Sequence, residues 1–304
     1  GGLVTMTLDI SGIPADVVER YALDKLPLDR PTRPTADLLR LDGKRVVVTG
    51  GGGGGLGDAT CHRLAEQGAE IAVFDISAAA ALQTVDEVGS RWNVPARFVL
   101  ADVGDPDSVQ AAVDDLIAHW GGIDILVNNA GGSGSVGSTG EKVTHHGPFA
   151  EMDVEELLTV VRVNLVGMML VTRAVLPHMI SAASGRIINV ASEGGKAVIP
   201  DLAVYNACKA GVIAFTRNLA GEVGVQGVTV AGVCPGIMVT ERTVQALSDP
   251  SNRGFASLDV GFAKVTAGRC SVTDEVASLI TFLASDAGGY VHGTSVSAGG
   301  GMAD

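Results

Sequence analysis

Tyr205 and Lys209 stand four positions apart in the segment Tyr205-Asn206-Ala207-Cys208-Lys209. On a helix that spacing places both side chains on one face. A phenol with a pKa near ~10 is a poor base at neutral pH. An ammonium beside it stabilises the phenolate and lowers that value. Together the two groups can move a proton to or from an alcohol oxygen. Ser192 lies 13 residues before Tyr205, after an apolar run, and supplies a hydroxyl that either engages a substrate oxygen or caps a turn.

Oxidation of an alcohol that loses its hydroxyl proton also needs an acceptor for the hydride on its carbon, and an earlier segment offers a carrier site. Thr49 is followed by six glycines, Gly50 to Gly55, then by Leu56 and Gly57. The β-branched run before them and the amphipathic stretch after them make this a strand-turn-helix unit rather than a flexible linker. Glycine lets the backbone turn tightly and approach a pyrophosphate, and the helix N-terminus supplies free N–H groups and a positive dipole. Asp75 ends the next apolar run, 18 residues beyond Gly57. A carboxylate there can accept hydrogen bonds from adenosine ribose hydroxyls and repels a 2′-phosphate. No Lys or Arg lies in Gly50–Gly57, and Phe74 and Ile76 flank Asp75. This pattern favours NAD over NADP; the other reading of Asp75 is an N-cap for the helix at 78–91.

These groups need a scaffold. Short apolar runs predict strands at Arg45–Thr49, Glu70–Asp75, Ala96–Leu100, Ile123–Asn128, Gly185–Ala191, Val228–Cys234 and Tyr290–Val296. Helical stretches at 56–67, 78–91, 106–119, 153–182, 203–224 and 272–285 alternate with them. Alternation of this kind predicts a doubly wound α/β domain, a seven-stranded parallel sheet covered on both faces. Runs such as Val46-Val47-Val48 and Ile187-Ile188 are continuously apolar, as strands buried on both faces should be. Residues 42–304 then form one Rossmann-type catalytic domain. Residues 1–41 are broken by Pro14, Pro27, Pro31 and Pro34 and read as an arm, with a short helix at Ala15–Leu23.

The 304 residues are 46% hydrophobic and 18% charged, which excludes intrinsic disorder. Aromatic residues make up only 4% and the net charge is −13, both against a nucleic-acid partner. No apolar run reaches the ~20 residues of a membrane span. No basic stretch precedes an apolar core at the N-terminus, so no secretory leader is expected. Cys61, Cys208, Cys234 and Cys270 are widely spaced and read as thiols in a reducing cytoplasm, with no metal expected.

On these residues the chain resembles the short-chain dehydrogenase/reductase (SDR) family over about residues 43–300. The resemblance rests on Thr49 with the glycine turn, Asp102-Val103, Asn128-Asn129-Ala130-Gly131, Asn164, Ser192, the Tyr205/Lys209 pair and Pro235-Gly236. It implies that Tyr205 is the general acid/base, that Lys209 tunes it and binds the nicotinamide ribose, and that Ser192 holds the substrate oxygen. It further implies that Asn164 holds a water linking Lys209 to solvent; the residue alone could equally be a buried helix asparagine. The implied cofactor contacts are Gly51, Gly55, Leu56, Gly57, Asp75, Ile76, Asp102, Val103, Asn129, Ala130, Gly131, Pro235, Gly236, Met238 and Thr240, besides Tyr205 and Lys209. Asn128 would steady the sheet edge. Thr240 could instead cap the next helix.

Several features depart from the pattern. The turn holds one extra glycine, so Gly50 and Gly51 compete for the first role. Glu193 beside Ser192 reads as a substrate contact to a hydroxyl or as a solvent-facing residue. His145-His146, in the glycine- and serine-rich segment 131–148, reads as a solvated pair or a substrate contact. That segment and the arm could each cover the site or join subunits. Residues 237–270 bring apolar side chains (Ile237, Met238, Val239, Leu247, Phe255, Leu258, Val260, Phe262) towards a substrate. The expectation is an NAD-dependent oxidoreductase for a small-molecule secondary alcohol or ketone, apolar or cyclic. The resemblance further implies a homo-oligomer, a tetramer formed through the helices near 153–182 and 203–224. The alternatives are a 3-oxoacyl-carrier-protein ketoreductase and, from a different class, an NAD-binding regulatory protein without turnover.

Overall fold

Val46, Val47 and Val48 are all fully buried, because successive side chains of a strand leave by opposite faces and both faces here are covered. A computed structural model of the protein describes residues 9–25, 33–136, 142–144, 146–248 and 253–302. Its strands are β1 (Arg45–Thr49), β2 (Glu70–Asp75), β3 (Ala96–Leu100), β4 (Ile125–Asn128), β5 (Gly134–Val136), β6 (Lys142–Thr144), β7 (Gly185–Val190), β8 (Val228–Pro235), β9 (Met238–Val239), β10 (Ser271–Val272) and β11 (Ser295–Ala298). Seven of them form one parallel sheet in the order β11-β8-β7-β4-β1-β2-β3. The order reverses between β1 and β4, the switch point where open α/β sheets bind ligands beyond their strand ends. β5 and β6 form a separate antiparallel pair, and β9 and β10 a short parallel one.

The helices are α1 (Ala15–Arg20), α2 (Thr35–Leu38), α3 (Leu56–Glu66), α4 (Ala78–Trp92), α5 (Pro106–Trp120), α6 (Val154–Val161), α7 (Gly167–Ser181), α8 (Ala203–Val223), α9 (Glu241–Ser248), α10 (Arg253–Phe262) and α11 (Thr273–Ala284). Val46, Val48, Ile71 and Val73 pack with Leu64 of α3 and Ile280 of α11 on one face. Val47, Ala72, Phe74 and Leu126 pack with Leu116 of α5, Val175 of α7 and Leu219 of α8 on the other. Local signals set the boundaries: Ser77 caps α4, Asp105 caps α5 ahead of Pro106, and Asn93 and Gly121 end those helices in the left-handed region.

Three expectations change. The helix predicted over 153–182 is broken by a π turn at Arg162–Val166, where the Gly167 N–H bonds the Arg162 carbonyl. Asn164 lies in that turn, and its Nδ2 donates to the Val160 carbonyl at 3.1 Å, competing with the helical ladder. The last strand begins at Ser295 rather than Tyr290. Tyr290 is fully exposed and Gly293 turns the chain at φ +68°, so the Tyr-Val pair that suggested a strand belongs to the approach. Asn128 is not at a sheet edge, since β4 pairs with both β1 and β7.

Residues 33–41 of the arm pack at the amino ends of the strands. Arg33 Nη1 meets Asp286 Oδ2 at 3.2 Å, and Arg186, at the start of β7, meets Asp286 Oδ1 at 3.4 Å. Leu41 is buried and its N–H bonds the Gln67 carbonyl. Residues 33–41 therefore lie at the amino ends of the strands and do not cover the switch point. Cys61, Cys208 and Cys234 are buried, Cys270 is half-buried, and none is disulfide-bonded. Among the described residues no helix is long and apolar enough to cross a membrane.

Candidate active site

The glycine turn is clamped between the carboxyl ends of β1 and β4. The Thr49 hydroxyl accepts the N–H groups of Asn129 and Ala130, each at 3.0 Å. In return Asn129 Nδ2 donates to the carbonyls of Thr49 and Gly50, at 3.0 and 2.9 Å. Gly50 takes the turn, at φ +62°, and a Cβ on it would lie 2.9 Å from the Ala130 Cα. A Cβ on Gly57 would overlap the Gly50 carbonyl oxygen. Gly51 is at negative φ against Val73 and Cys61. Gly54 and Gly55 have nothing within 4 Å of an added Cβ, so the backbone before α3 stands open at the helix N-terminus. An open, side-chain-free cradle at that position fits a pyrophosphate.

Asp75, at the end of β2, stands beside this turn. Its Oδ2 accepts the Gly52 N–H at 3.1 Å and its Oδ1 the Ser77 N–H at 2.9 Å. The cap of α4 is Ser77, whose hydroxyl accepts the Ala80 N–H, so Asp75 is not the capping residue. Ile76 is partly exposed beside it. Across the sheet, Asp102 Oδ1 accepts the Gly104 N–H at 2.8 Å, and Val103 is buried where Gly167 leaves it room.

Asn128 Nδ2 reaches Thr172 Oγ1 and Asn189 Oδ1, both at 2.9 Å, and Asn189 Nδ2 reaches Thr216 Oγ1 at 3.0 Å. This buried ladder ties β4 and β7 to α7 and α8. Asn164 anchors the segment after β4: its Oδ1 accepts the Gly132 N–H at 2.8 Å and its Nδ2 donates to the Gly132 carbonyl at 3.2 Å. A Cβ on Gly131 would lie 2.6 Å from Asn164 Oδ1. In the 131–148 segment, residues 137–141 and His145 lie outside the described residues. After His146, the Gly147 N–H bonds the Asp201 carbonyl, which ties this segment to the approach to α8.

Ser192 follows β7 in extended backbone, and its hydroxyl accepts the Gly194 N–H at 3.0 Å. Tyr205 is half-buried on α8. Lys209 Nζ lies 5.6 Å from the centroid of the Tyr205 ring and donates to the Val190 carbonyl at 3.0 Å. Lys209 is buried, and loss of hydration pulls its pKa down to about 8. Gly195 lets the Ser192 turn rest on the helix, because a Cβ there would meet the Lys209 carbonyl carbon at 2.7 Å. Sequence reading missed this seat: its only signal is the pair Gly194-Gly195 after Ser192.

Pro235 ends β8, and the Gly236 N–H bonds the Ala298 carbonyl. Met238 is half-buried in β9. The Thr240 hydroxyl accepts the Thr243 N–H at 3.3 Å and Thr243 Oγ1 accepts the Thr240 N–H at 2.7 Å, so Thr240 caps α9. Glu193 is 3% exposed and does not face solvent. A Cβ on Gly299 would lie 2.5 Å from its Cγ, so glycine at 299 makes its space. Lys196 Nζ stands 4.0 Å from its Oε1. The side chain of Phe255 lies outside the described residues.

Asp58, His62 and Glu87 bring three potential ligand atoms within 4.8 Å of one another on α3 and α4. His62 Nδ1 accepts the Trp92 Nε1–H at 3.1 Å and Asp58 Oδ1 accepts the Thr84 hydroxyl. The trio thus satisfies itself with protein partners.

A family model described as short chain dehydrogenase matches residues 44–251. The chain is 36% identical over 264 residues to the 3-oxoacyl-acyl-carrier-protein reductase FabG of Vibrio cholerae, covering 87% of this chain and 99% of that protein. It is 34% identical to the D-threitol dehydrogenase of Mycolicibacterium smegmatis, covering 86% of this chain and 94% of that one. Among solved structures, that of gox2181 matches with a TM-score of 0.79 at 32% identity over 88% of this chain and 98% of its own. An NAD+-bound xylitol dehydrogenase matches with a TM-score of 0.76 at 30% identity, over 86% and 99%.

Proposed function

The chain belongs to the short-chain dehydrogenase/reductase family of oxidoreductases, and from that premise we propose that it transfers a hydride between NAD and a secondary alcohol or ketone, with Tyr205 as acid/base. Asp75 carries the choice of cofactor. Its carboxylate stands at the end of β2 with two backbone N–H partners and no cation on Phe74, Ile76 or the glycine turn. Ribose hydroxyls can donate to its remaining lone pairs, whereas a 2′-phosphate would meet an unscreened negative charge. The likeness to a xylitol dehydrogenase with NAD+ bound supports the same reading.

When bound, the dinucleotide supplies a nicotinamide carbon that accepts or returns the hydride. The open turn at Gly53–Gly55 and the α3 N-terminus would hold its pyrophosphate, and Asp102, Val103, Ala130 and Gly131 would flank its adenosine half. Gly236, Met238 and Thr240 would border its other end. In oxidation, Ser192 orients the alcohol oxygen and the Tyr205 phenolate takes its proton. Lys209 holds that phenolate: its ammonium lies beside the Tyr205 ring, 5.6 Å from the ring centroid, and a cation so near favours the ionised phenol. Its ammonium can pass the proton on through the water that Asn164 is proposed to hold. Reduction of a ketone runs these transfers backwards. The substrate is an apolar or cyclic alcohol, a reading supported by the apolar residues of 237–270 such as Ile237 and Leu258.

Titration with NADH and NADPH tests the cofactor assignment. The expected result is a strong preference for NADH that Asp75→Ala narrows by about tenfold, the effect of one lost charge-assisted pair. A preference for NADPH in the wild-type protein would refute it. The likeness to FabG keeps acyl-carrier-protein ketoreduction as the second reading; turnover of an acetoacetyl thioester with NADPH in place of NADH would favour it. Self-association belongs to the same proposal. Leu157, Val161, Leu165, Val204 and Cys208 line an open apolar surface beside the exposed Phe149, between α6 and α8. A second copy would cover it, and a monomer in sedimentation velocity would contradict this.

A further inference from the structure

Asn206 follows Tyr205 directly and touches two parts of the site that the sequence keeps apart. Its Nδ2 donates to the Ile199 carbonyl at 3.1 Å. Its Oδ1 is buried, has no hydrogen-bond partner among the described residues, and occupies the space a Cβ on Gly194 would need. Gly194 is the residue whose N–H fixes the Ser192 hydroxyl. One amide therefore lies between the Ser192 turn and the loop at 197–201.

That loop is also the seat of α10. The buried Ser257 donates its hydroxyl to the Pro200 carbonyl at 3.4 Å. At Gly261 an added Cβ would lie 3.1 Å from the Ile237 Cδ1 and 3.9 Å from the Ile199 Cδ1, so α10 rests on Ile199 as well. Without the Asn206 donor the Ile199 carbonyl would lose a bond worth about 1 kcal/mol net, and the loop would lose its tie to α8.

We propose that Asn206 is a positioning residue that ties the seat of α10 to the Ser192 turn, so that α10 cannot leave its seat without loosening Ser192. The importance of Ser192 rests on the oxidoreductase reading above, but the tie itself does not. Hydrogen exchange of the full-length protein, free of substrate and cofactor, reads it directly. In Asn206→Ala, exchange over 253–262 and over 192–197 is expected to rise together by about fivefold, while β1 and β2 keep their rates. Ser257→Ala should loosen the same two segments. A general structural defect would instead raise exchange across α8 and the sheet.

Asn206→Asp keeps the shape and covers the case in which the alanine variant fails to fold. Its charged carboxylate cannot donate to the Ile199 carbonyl, whereas the protonated form can. Charged at neutral pH, it should therefore raise exchange over 253–262 and 192–197 together, as the alanine variant does. Selective loosening of 253–262 in Ser257→Ala with 192–197 unchanged would overturn the proposal, as would wild-type exchange in both segments of Asn206→Ala. Retained turnover in Tyr205→Phe would sink the catalytic reading whatever the exchange shows.

Discussion

Replacing Tyr205 with Phe is expected to lower turnover by roughly 100- to 10,000-fold, the range attributed to a general acid or base, while NADH binds as before. The phenyl ring keeps its packing against Val160, Val204 and Cys208 and its place 5.6 Å from the Lys209 ammonium. Only the hydroxyl is lost, so nothing in the Gly50–Gly57 turn or at Asp75 is disturbed. Steady-state rates beside an NADH fluorescence titration check this. A variant that keeps its rate would show that another group moves the proton.

The second large effect concerns Lys209. Burial lowers its pKa to about 8, below the ~10.4 of an unfolded lysine. The folded protein therefore penalises the charged form. The penalty is fully present below about pH 8 and vanishes above the unfolded value, so stability from this group rises with pH between the two. In magnitude it is about 3 kcal/mol, offset by about 1 kcal/mol from the bond to the Val190 carbonyl. Lys209→Met in the cofactor-free protein should thus be more stable than wild type by about 2 kcal/mol near pH 7, and the gain should disappear near pH 10. Turnover should fall with the loss of the cation beside Tyr205. Denaturant unfolding at the two pH values tests the sign: a variant destabilised equally at both would mean that Lys209 is held by its partners rather than strained by burial.

Much of this was legible in the residues. Parallel strands buried on both faces declare themselves as short apolar runs, and β1 and β2 begin and end where those runs do, as does the edge strand β3. Ser77, Asp105-Pro106 and Gly121 mark helix ends by local chemistry that survives tertiary context. Tyr205 and Lys209 share a face because the α-helix has one period. The π turn at Asn164 was hidden, since apolar periodicity continues through it and its cause is a side chain bonding Val160 and Gly132. Glu193 looked like a surface or substrate carboxylate because its type is seldom buried; the space it occupies is made by Gly299, far along the chain. Thr240 was ambiguous between cofactor and cap, and the bond to Thr243 that makes the cap depends on where α9 starts. Asn206 carries no spacing or motif of its own, and its two contacts arise only when the loop at 197–201 folds back on α8.

The most direct measurement is NAD+ reduction by the wild-type protein across a panel of secondary alcohols, cyclic and acyclic. The account predicts NADH formation with at least one of them, faster with NAD+ than with NADP+. No reduction of NAD+ by any alcohol, from a protein that still binds NADH, would contradict it and favour a dinucleotide-binding protein without turnover.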